Sequence, residues 1–392
     1  MDFRSENKFN AIINILSGNF LPMTGEKTKL GFFRLTYMMI VWIIRLIYII
    51  TTGIGCFSYV PIMVAIRDGG VTGIVIVETI ILWIYLNLRR DYLHNLIGKI
   101  ESILVDSDDL RRIIRDTVEP NKNRMKIYTI ATVGSVVLWA ALPVLLVLEK
   151  NTFTYTDYVL PTYFPGEPFT VKTFVFGIIV DTIGGSYVIV NKNAIDIYVS
   201  YLITILTSEF RYVNEQITMI LCGTNDEKDT DKMITSLRKC VEHHCIAIDI
   251  GQMLAKLLYL NVGVTYLNCI LRFCLLGFAL VATPGAYFAK CIYMLFTLGN
   301  LVQVYFLCSC VQELLEASTS ITDDAFHEDW YGRGSAIRNM FQTMGLSNRI
   351  ECRLTAFRIV DLTVPSFAAI LNHAYSACLL LLRMNVSAHA DD

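Results

Sequence analysis

Apolar runs long enough to cross a lipid bilayer set the strongest limit on how this chain folds. Seven such runs contain few charges and lie at about 36–58, 70–88, 126–148, 173–200, 258–282, 287–312 and 364–384. An α-helix rises about 1.5 Å per residue, so each run spans most or all of a hydrocarbon core ~30 Å thick. Inside a bilayer the backbone must bond to itself, which a helix does within one segment. We therefore expect an all-α membrane protein with seven transmembrane helices.

The composition agrees with this class and excludes others. Of 392 residues, 54% are hydrophobic and 17% are charged, whereas soluble domains are about a quarter charged. A net charge of -2 without a clustered basic face gives no sign of nucleic-acid binding. Most of the eleven cysteines lie in apolar runs, where we expect buried thiols. No hydrolase, kinase, phosphate-loop or dinucleotide motif is present, so we expect no enzyme, no catalytic residue and no cofactor.

Lysine and arginine residues orient the chain. With the N-terminus inside the cell, the inner segments carry 25 of these residues and the outer segments carry 5. Cytoplasmic segments are enriched in them, so we expect a cytoplasmic N-terminus and an extracellular C-terminus. The first span follows no cleavable signal peptide and is expected to act as its own insertion signal. The one glycosylation sequon, Asn385-Val386-Ser387, then lies outside.

The segments around the spans predict six parts. Residues 1–35 form a cytoplasmic segment with an amphipathic helix, 36–220 a ligand-binding bundle of spans one to four, 221–232 a short linker, 233–361 spans five and six with anchor helices, 362–384 the last helix, and 385–392 an extracellular tail. Helical patterns continue past spans four and six and precede span five on the inner side, which predicts a packed cytoplasmic base. The outer loop 149–172 is rich in aromatic residues and proline, which predicts an ordered lid.

The last span differs from a plain membrane anchor. It carries polar side chains at Ser366, Asn372, His373, Tyr375 and Ser376. Polar residues within membrane spans generally face other helices or water. The pattern therefore indicates a helix that lines a pore or packs against other helices.

Charged residues also occur inside the spans. Arg45 in span one and Glu78 in span two lie ~13 Å and ~12 Å along their helices from opposite membrane faces, so their depths nearly coincide. We expect them to pair or to share a polar cavity, with Arg45 reaching to the membrane surface as the alternative. Lys192 and Asp196 are four residues apart on span four, which favours a structural ion pair over a transport relay. The adjacent His243 and His244 point apart on a helix and have no partner at ligand spacing, so we expect no metal site.

Two helical faces and two tyrosines predict a ligand pocket in the outer half of the membrane. Hydroxyl-bearing residues recur at helical spacing on spans three and four, and tyrosines begin span six. Aromatic walls with a few hydroxyls suit a small apolar ligand, although helix packing by small residues is the alternative. The candidate ligand-binding residues are Glu78, Thr132, Ser135, Trp139, Ile178, Thr182, Ser186, Tyr287 and Tyr293.

Three stretches resemble insect odorant receptors of the ligand-selective type. Ala325 to Tyr331 is similar to the family's A-x-x-x-x-W-Y, and Phe367 to Ser376 to its F-x-x-I-L-x-x-A-Y-S. Cys240-Val241-Glu242-His243-His244 is the third match, and the resemblance extends over essentially the whole chain. The linker between spans four and five lacks the long insertion of the olfactory co-receptor, so the chain is not expected to be that subunit.

The resemblance implies an odorant-gated, non-selective cation channel in the plasma membrane of a sensory-neuron dendrite. Its implied partners are the olfactory co-receptor, in a heterotetramer, together with a small volatile odorant, membrane lipid and permeating cations. Four copies of the last helix would line one pore, with Ser376, Leu380 and Met384 as pore and gate residues.

Three other functions remain as alternatives. A G-protein-coupled receptor would have its N-terminus outside, against the charge distribution. A secondary transporter would show paired broken spans or internal repeats, which are not found. A gustatory-type receptor channel would end in a T-Y-x-x-x-x-x-Q-F pattern, which this chain lacks.

Overall fold

The chain folds into a bundle of long helices, seen here in a computed structural model. The structure describes residues 8–27, 31–58, 60, 62–104, 108–147, 150–158, 160, 162–222, 230–282, 287–326, 334–347, 352–357 and 359–390. Much of the linker 221–232, residues 327–331 of the A-x-x-x-x-W-Y stretch and the last two tail residues lie outside these ranges.

Eleven helices and one small hairpin make up the described part of the chain. The helices are α1 (Lys8–Leu16), α2 (Phe32–Ser58), α3 (Ile62–Val64), α4 (Gly70–Leu88), α5 (Arg90–Ile103), α6 (Asp108–Val147), α7 (Val171–Cys222), α8 (Thr230–Ala282), α9 (Tyr287–Phe326), α10 (Ser335–Ser347) and α11 (Val364–Ala390). A π-helical turn, Ala65–Gly69, joins α3 to α4, and a 3-10 turn covers Tyr155–Asp157. Strands β1 (Thr355–Ala356) and β2 (Val360–Asp361) pair antiparallel just before α11.

Six helices in the described part are long and apolar enough to cross a membrane, namely α2, α4, α7, α8, α9 and α11. The predicted third span falls in the C-terminal part of α6, a helix outside these six. At 1.5 Å per residue, the 53 residues of α8 extend ~80 Å, far more than a bilayer core. The all-α membrane fold is therefore confirmed, and the longest helices continue well beyond the membrane.

Helix α7 forms the centre of the bundle. Its residues 191–210 are buried without interruption, so this stretch is enclosed on every side. Helices α1, α2, α4, α6, α8 and α9 all pack against it. A helix that is buried all round belongs to the core of the protein, so the polar and charged residues in this stretch must find partners inside the bundle.

The last helix packs along α8 through one face. Ile370, Ala374 and Cys378 follow each other at intervals of four and are buried. In α8, Gly277 leaves the space that the Cys378 thiol occupies, since an added Cβ would lie 3.0 Å from that sulfur. The opposite face of α11 is exposed in the single chain.

Candidate functional site

A cavity of about 170 Å³ lies within the helical bundle. Its walls come from α2, α4, α6, α7, α8 and α9, together with Arg67 of the π-helical turn and Leu160 of the loop before α7. Because six helices surround it, the cavity belongs to the interior of the bundle. Small-molecule sites in helical bundles commonly occupy such a position.

One part of the wall is apolar and aromatic. Tyr48, Leu160 and Val188 belong to one buried cluster, and Phe296 packs against it. All four side chains also line the cavity. This wall offers hydrophobic contact area and no ionised group.

The loop between α6 and α7 is tied to the bundle at several points. The Tyr163 backbone N–H donates to the Thr51 carbonyl at 3.0 Å, and the Thr162 hydroxyl donates to Asp181 at 3.2 Å. Phe153 pairs with Phe169 in a short backbone bridge and stacks on another phenylalanine, Phe174, with 4.1 Å between ring centroids. The described part of this loop is therefore packed against the helices, and its Leu160 side chain lines the cavity.

The other part of the wall is charged and polar. Lys192 Nζ lies 2.9 Å from Glu78 Oε1 and 2.6 Å from Asp196 Oδ1. The hydroxyl of Tyr128 and Nε2 of Gln303 both donate to Asp196 Oδ2, at 2.9 and 2.6 Å. The ion pair expected between Lys192 and Asp196 is thus present, as part of a larger network.

Arg272 completes this network from α8. Its Nη1 donates to Asn300 Oδ1 and to Gln303 Oε1, both at 2.8 Å, and its Nη2 lies 3.9 Å from Glu78 Oε2. Lys192 and Arg272 carry two positive charges and the two carboxylates carry two negative charges, so the cluster is balanced. Buried charges are tolerated when they are paired. Lys192, Arg272 and Asp196 are also hydrogen-bonded, whereas Glu78 has ion-pair contacts only among the described residues. The network joins α4, α6, α7, α8 and α9 at one level of the bundle.

The expected pairing of Arg45 with Glu78 is wrong. Glu78 is fully buried and contacts Lys192 and Arg272 instead. The guanidinium carbon of Arg45 lies 4.3 Å from the ring centre of Trp42, and none of its nitrogens has a hydrogen-bond partner among the described residues. The side chain is only 1% exposed, so it does not reach the surface of the single chain either.

The physical reason is that sequence spacing gives depth but not direction. One turn after Arg45, Tyr48 packs against Gly184 of α7, where an added Cβ would overlap the tyrosine. Arg45 instead lies over the ring of Trp42 on its own helix, whereas Glu78 on α4 faces Lys192 and Arg272. Arg45 and Glu78 thus lie at similar depths, but their side chains contact different neighbours.

Three of the predicted ligand-binding residues lie on the cavity wall. They are Thr132 and Ser135 of α6 and Tyr293 of α9. The Thr132 hydroxyl donates to the Tyr128 carbonyl at 2.8 Å, and the Ser135 hydroxyl to the Ala131 carbonyl at 2.9 Å. Their hydroxyl hydrogens are thus engaged by their own helix. Glu78 lies behind the wall, in an ion pair with Lys192.

The predicted face of α7 does not line this cavity. Ile178 packs in the phenylalanine cluster of the loop, and Ser186 donates to the Thr182 carbonyl within the helix. The α7 residues on the wall are Gly185, Val188, Ile189 and Lys192. The side chains of Trp139 and Tyr287 lie outside the described residues.

Several wall residues were not predicted from the sequence. Arg272, Asn300 and Gln303 are polar or charged residues inside apolar spans five and six. The rule that singled out Arg45 and Glu78 applies to them equally, because a polar side chain within a span marks an interior cavity or partner. Leu160 had no comparable signal, since nothing local shows where a loop residue packs.

The predicted pore residues lie on the exposed face of α11. Leu380 is 62% and Met384 is 52% exposed, and the exposed Ser376 donates its hydroxyl to the Asn372 carbonyl at 3.0 Å. This face is turned away from α8 and is the one available to neighbouring subunits, a pore or lipid. A role in a pore remains a prediction at this point.

The two adjacent histidines lie in the part of α8 before the predicted fifth span. His243 Nε2 lies 2.8 Å from Glu209 Oε2 of α7, and burial raises the pKa of Glu209. His244 is buried, with no hydrogen-bond partner for either ring nitrogen among the described residues. Desolvation, followed by the effect of His243, lowers the pKa of His244 to about 4. Within the described part of the chain, no group of three or more His, Cys, Asp or Glu residues is placed to hold a metal.

The fold and the cavity together define an all-α, multi-pass membrane protein with a small-molecule-sized cavity inside its helical bundle. A family model described as 7tm Odorant receptor matches residues 62–375. The chain therefore belongs to the odorant receptor family. The seven spans of that description agree with the seven predicted here, with α6 supplying the third.

Relatives in Drosophila melanogaster support this membership. The chain is 26% identical to odorant receptor 67a over 143 residues, and 23% identical to odorant receptor 13a over 223 residues. These alignments cover 36% and 54% of this chain, but only 35% and 52% of the relatives. The likeness thus extends over about a third to a half of each relative.

The fold is similar to solved structures over nearly its full length. One is the insect olfactory receptor OR5 from Machilis hrabei in complex with eugenol, with a TM-score of 0.82 and 16% identity over 97% of this chain and 98% of that one. A second structure of OR5 from Machilis hrabei gives a TM-score of 0.80 at 15% identity, with the same coverage. At such low identity the comparison establishes the fold.

Proposed function

We propose that this protein is the odorant-sensing subunit of a ligand-gated, non-selective cation channel. A small volatile molecule binds in the cavity, and its binding opens a pore lined by α11. The subunit assembles with olfactory co-receptor subunits as a heterotetramer in the plasma membrane of a sensory neuron. The observation that carries the proposal is the cavity of about 170 Å³ between six helices in a chain of the odorant receptor family.

Two features of the bundle support coupling between cavity and pore. Arg272 and Leu276 of α8 line the cavity, and Cys274 and Phe278 of the same helix form a buried cluster with Cys378 of α11. One helix thus contacts both the cavity and the last helix. A ligand that favours one position of α8 would shift the equilibrium of α11 by its differential affinity for the two states.

The test is co-expression with the olfactory co-receptor in cells, followed by recording of currents over a panel of volatile compounds. Odorant-evoked cation currents that need both subunits are expected. Tyr293→Ala removes an aromatic wall residue and should shift the effective odorant concentration, whereas Tyr259→Ala, which removes a tyrosine of α8 that is not on the cavity wall, should not. Surface-expressed complexes that give no current to any compound would contradict the proposal. Odorant responses that depend on a G protein and carry no direct current would favour the receptor alternative.

A further inference from the structure

We propose that the cavity selects ligands carrying a neutral hydrogen-bond acceptor, and that a carbonyl oxygen, as in a ketone, aldehyde or ester, binds at Arg272 and Lys192. This inference rests on the proposed function and names its ligand class. Its basis is the distribution of donors and acceptors along the polar wall.

The charges that face the cavity are all positive among the described residues. Arg67, Lys192 and Arg272 line it, whereas the carboxylates that balance the last two, Glu78 and Asp196, do not. The carboxylates lie behind the wall and pair with Lys192 from there. A ligand in the cavity therefore meets cationic donors first, and a protonated amine would be repelled.

Most acceptor groups on this wall are already engaged. Asn300 Oδ1 and Gln303 Oε1 each accept from Arg272, and Gln303 in turn donates to Asp196. The hydroxyl of Tyr128 donates to the same carboxylate. A ligand that brings only a donor would have to share an oxygen that already accepts a bond from Arg272.

Donors, by contrast, remain unpaired. The Nε–H of Arg272 is buried and has no hydrogen-bond partner among the described residues. An ammonium group has three N–H donors; Lys192 donates one to Asp196 Oδ1, and its contact with Glu78 is an ion pair without a hydrogen bond. A buried donor without an acceptor is costly, and a carbonyl oxygen in the cavity supplies that acceptor.

A neutral acceptor fits the charge balance better than a carboxylate. Lys192 and Arg272 are already compensated by Glu78 and Asp196. An anionic ligand would leave the buried cluster with an excess negative charge, which a low-dielectric interior penalises. The apolar wall of Tyr48, Val188 and Phe296 then holds the hydrocarbon part of the ligand.

The test uses linear methyl ketones of increasing length, each paired with the alkene in which a methylene group replaces the carbonyl oxygen. Currents are recorded from the subunit co-expressed with the co-receptor. The best ketone should be effective at a concentration roughly tenfold or more below that of its alkene, because the alkene leaves the buried donors unpaired. The amine and the carboxylic acid of the same length should be weaker than the ketone. A ketone no better than its alkene, or an amine or acid that equals it, would overturn the inference.

Two variants on α8 sharpen the result. Arg272→Lys keeps the positive charge beside Glu78 but removes the Nε–H, so the preference for ketone over alkene should fall. Leu276 lies one turn from Arg272 on the same wall and carries no hydrogen-bond donor. Leu276→Ala should therefore shift the responses to the ketone and to the alkene in the same direction and keep their ratio. If Arg272→Lys does not reach the cell surface, the ligand series on the unchanged protein still decides the question.

Binding to purified protein separates this inference from the channel proposal. A bound ligand raises the thermal unfolding midpoint by mass action. Stabilisation by the ketone and not by its alkene, without any current, would overturn the channel proposal and retain the acceptor-ligand inference. No stabilisation by any ketone, together with no current, would overturn both.

Discussion

At the scale of single residues, the charge balance around Lys192 governs how stable the buried network is. Glu78→Gln removes one carboxylate and leaves the positive charges of Lys192 and Arg272 opposed only by Asp196. Removing one partner of a buried ion pair typically costs about 3–5 kcal/mol, because the remaining charge is uncompensated. We expect a clearly lower thermal unfolding midpoint for the purified protein, measured by intrinsic fluorescence in detergent.

The matched control is Glu119→Gln, which removes an exposed carboxylate paired with Lys122 at 3.3 Å. Exposed pairs of this kind contribute about 0–1 kcal/mol, so the control should unfold close to the unchanged protein. The double variant Glu78→Gln, Lys192→Gln restores charge balance and should be more stable than Glu78→Gln alone. If the double variant is the less stable of the two, charge balance is not what holds this cluster together.

The presence of buried charges could be predicted from the sequence, but their partners could not. Glu78, Lys192 and Asp196 stand out because ionised residues are rare within apolar spans. The depth of a charged residue along its helix does not show which of the neighbouring helices its side chain faces. The partners of Glu78 depend on the rotation of α4 against α7 and α8, and packing across the whole bundle sets that rotation.

His244 gives a prediction for the dependence of stability on pH. The buried, unpaired imidazole has a pKa lowered from 6.5 to about 4. The unfolded chain binds the proton near pH 6.5 while the folded chain does not, so stability is lost as the pH falls from 6.5 towards about 4. The loss from this group approaches roughly 3 kcal/mol at 1.36 kcal/mol per pKa unit.

We therefore expect His244→Leu to flatten the decline of the unfolding midpoint between pH 6.5 and pH 4, as measured by thermal unfolding at each pH. The raised pKa of Glu209 contributes with the opposite sign, since its share of stability falls as the pH rises above the ordinary glutamate value. The contribution of Glu209 is the same in the unchanged protein and in His244→Leu, so it cancels when their pH slopes are compared. His373→Leu removes an exposed histidine and should keep the original slope. An unchanged slope in His244→Leu would contradict the prediction.

At the scale of elements, close approach of α2 to α7 depends on a glycine. An added Cβ at Gly184 would overlap the Cβ of Tyr48, which cannot move without shifting its helix. We expect Gly184→Ala to destabilise the protein by about 1–3 kcal/mol through overpacking. Gly73→Ala in α4 is the control, because nothing lies within 4 Å of its added Cβ. There alanine should be neutral or up to ~1 kcal/mol stabilising through helix propensity, and thermal unfolding measures both. Equal midpoints for the two variants would show that the helices can adjust.

The helices themselves follow from the apolar runs, but the face of α7 that meets the cavity does not. Gly185, Val188 and Ile189 of the wall stand among other small and apolar residues of this span, so their pattern gives no preferred direction. Thr182 and Ser186 were selected by their hydroxyls, whereas Gly185 and Lys192 on a neighbouring face line the cavity. The error amounts to one residue, or about 100° around the helix.

At the scale of the whole molecule, the helices divide into a membrane part and a part beyond it. Helices α7 and α8 are 52 and 53 residues long, about twice what a membrane needs. Their ends outside the predicted spans carry the Glu209–His243 pair and pack into one core with α5 and α10. The lysine and arginine counts predict that this base lies in the cytoplasm, which also fixes the sides of both termini.

That orientation is tested by epitope tags. A tag after Asp392 should bind antibody on intact cells, and a tag before Met1 should bind only after the membrane is permeabilised. The reason is that 25 lysine and arginine residues fall on the side assigned to the cytoplasm and 5 on the other. A third tag inserted in the 223–229 segment serves as an internal control, since it should behave like the N-terminal one. The reverse pattern, with the N-terminal tag outside, would contradict the orientation and favour the G-protein-coupled alternative.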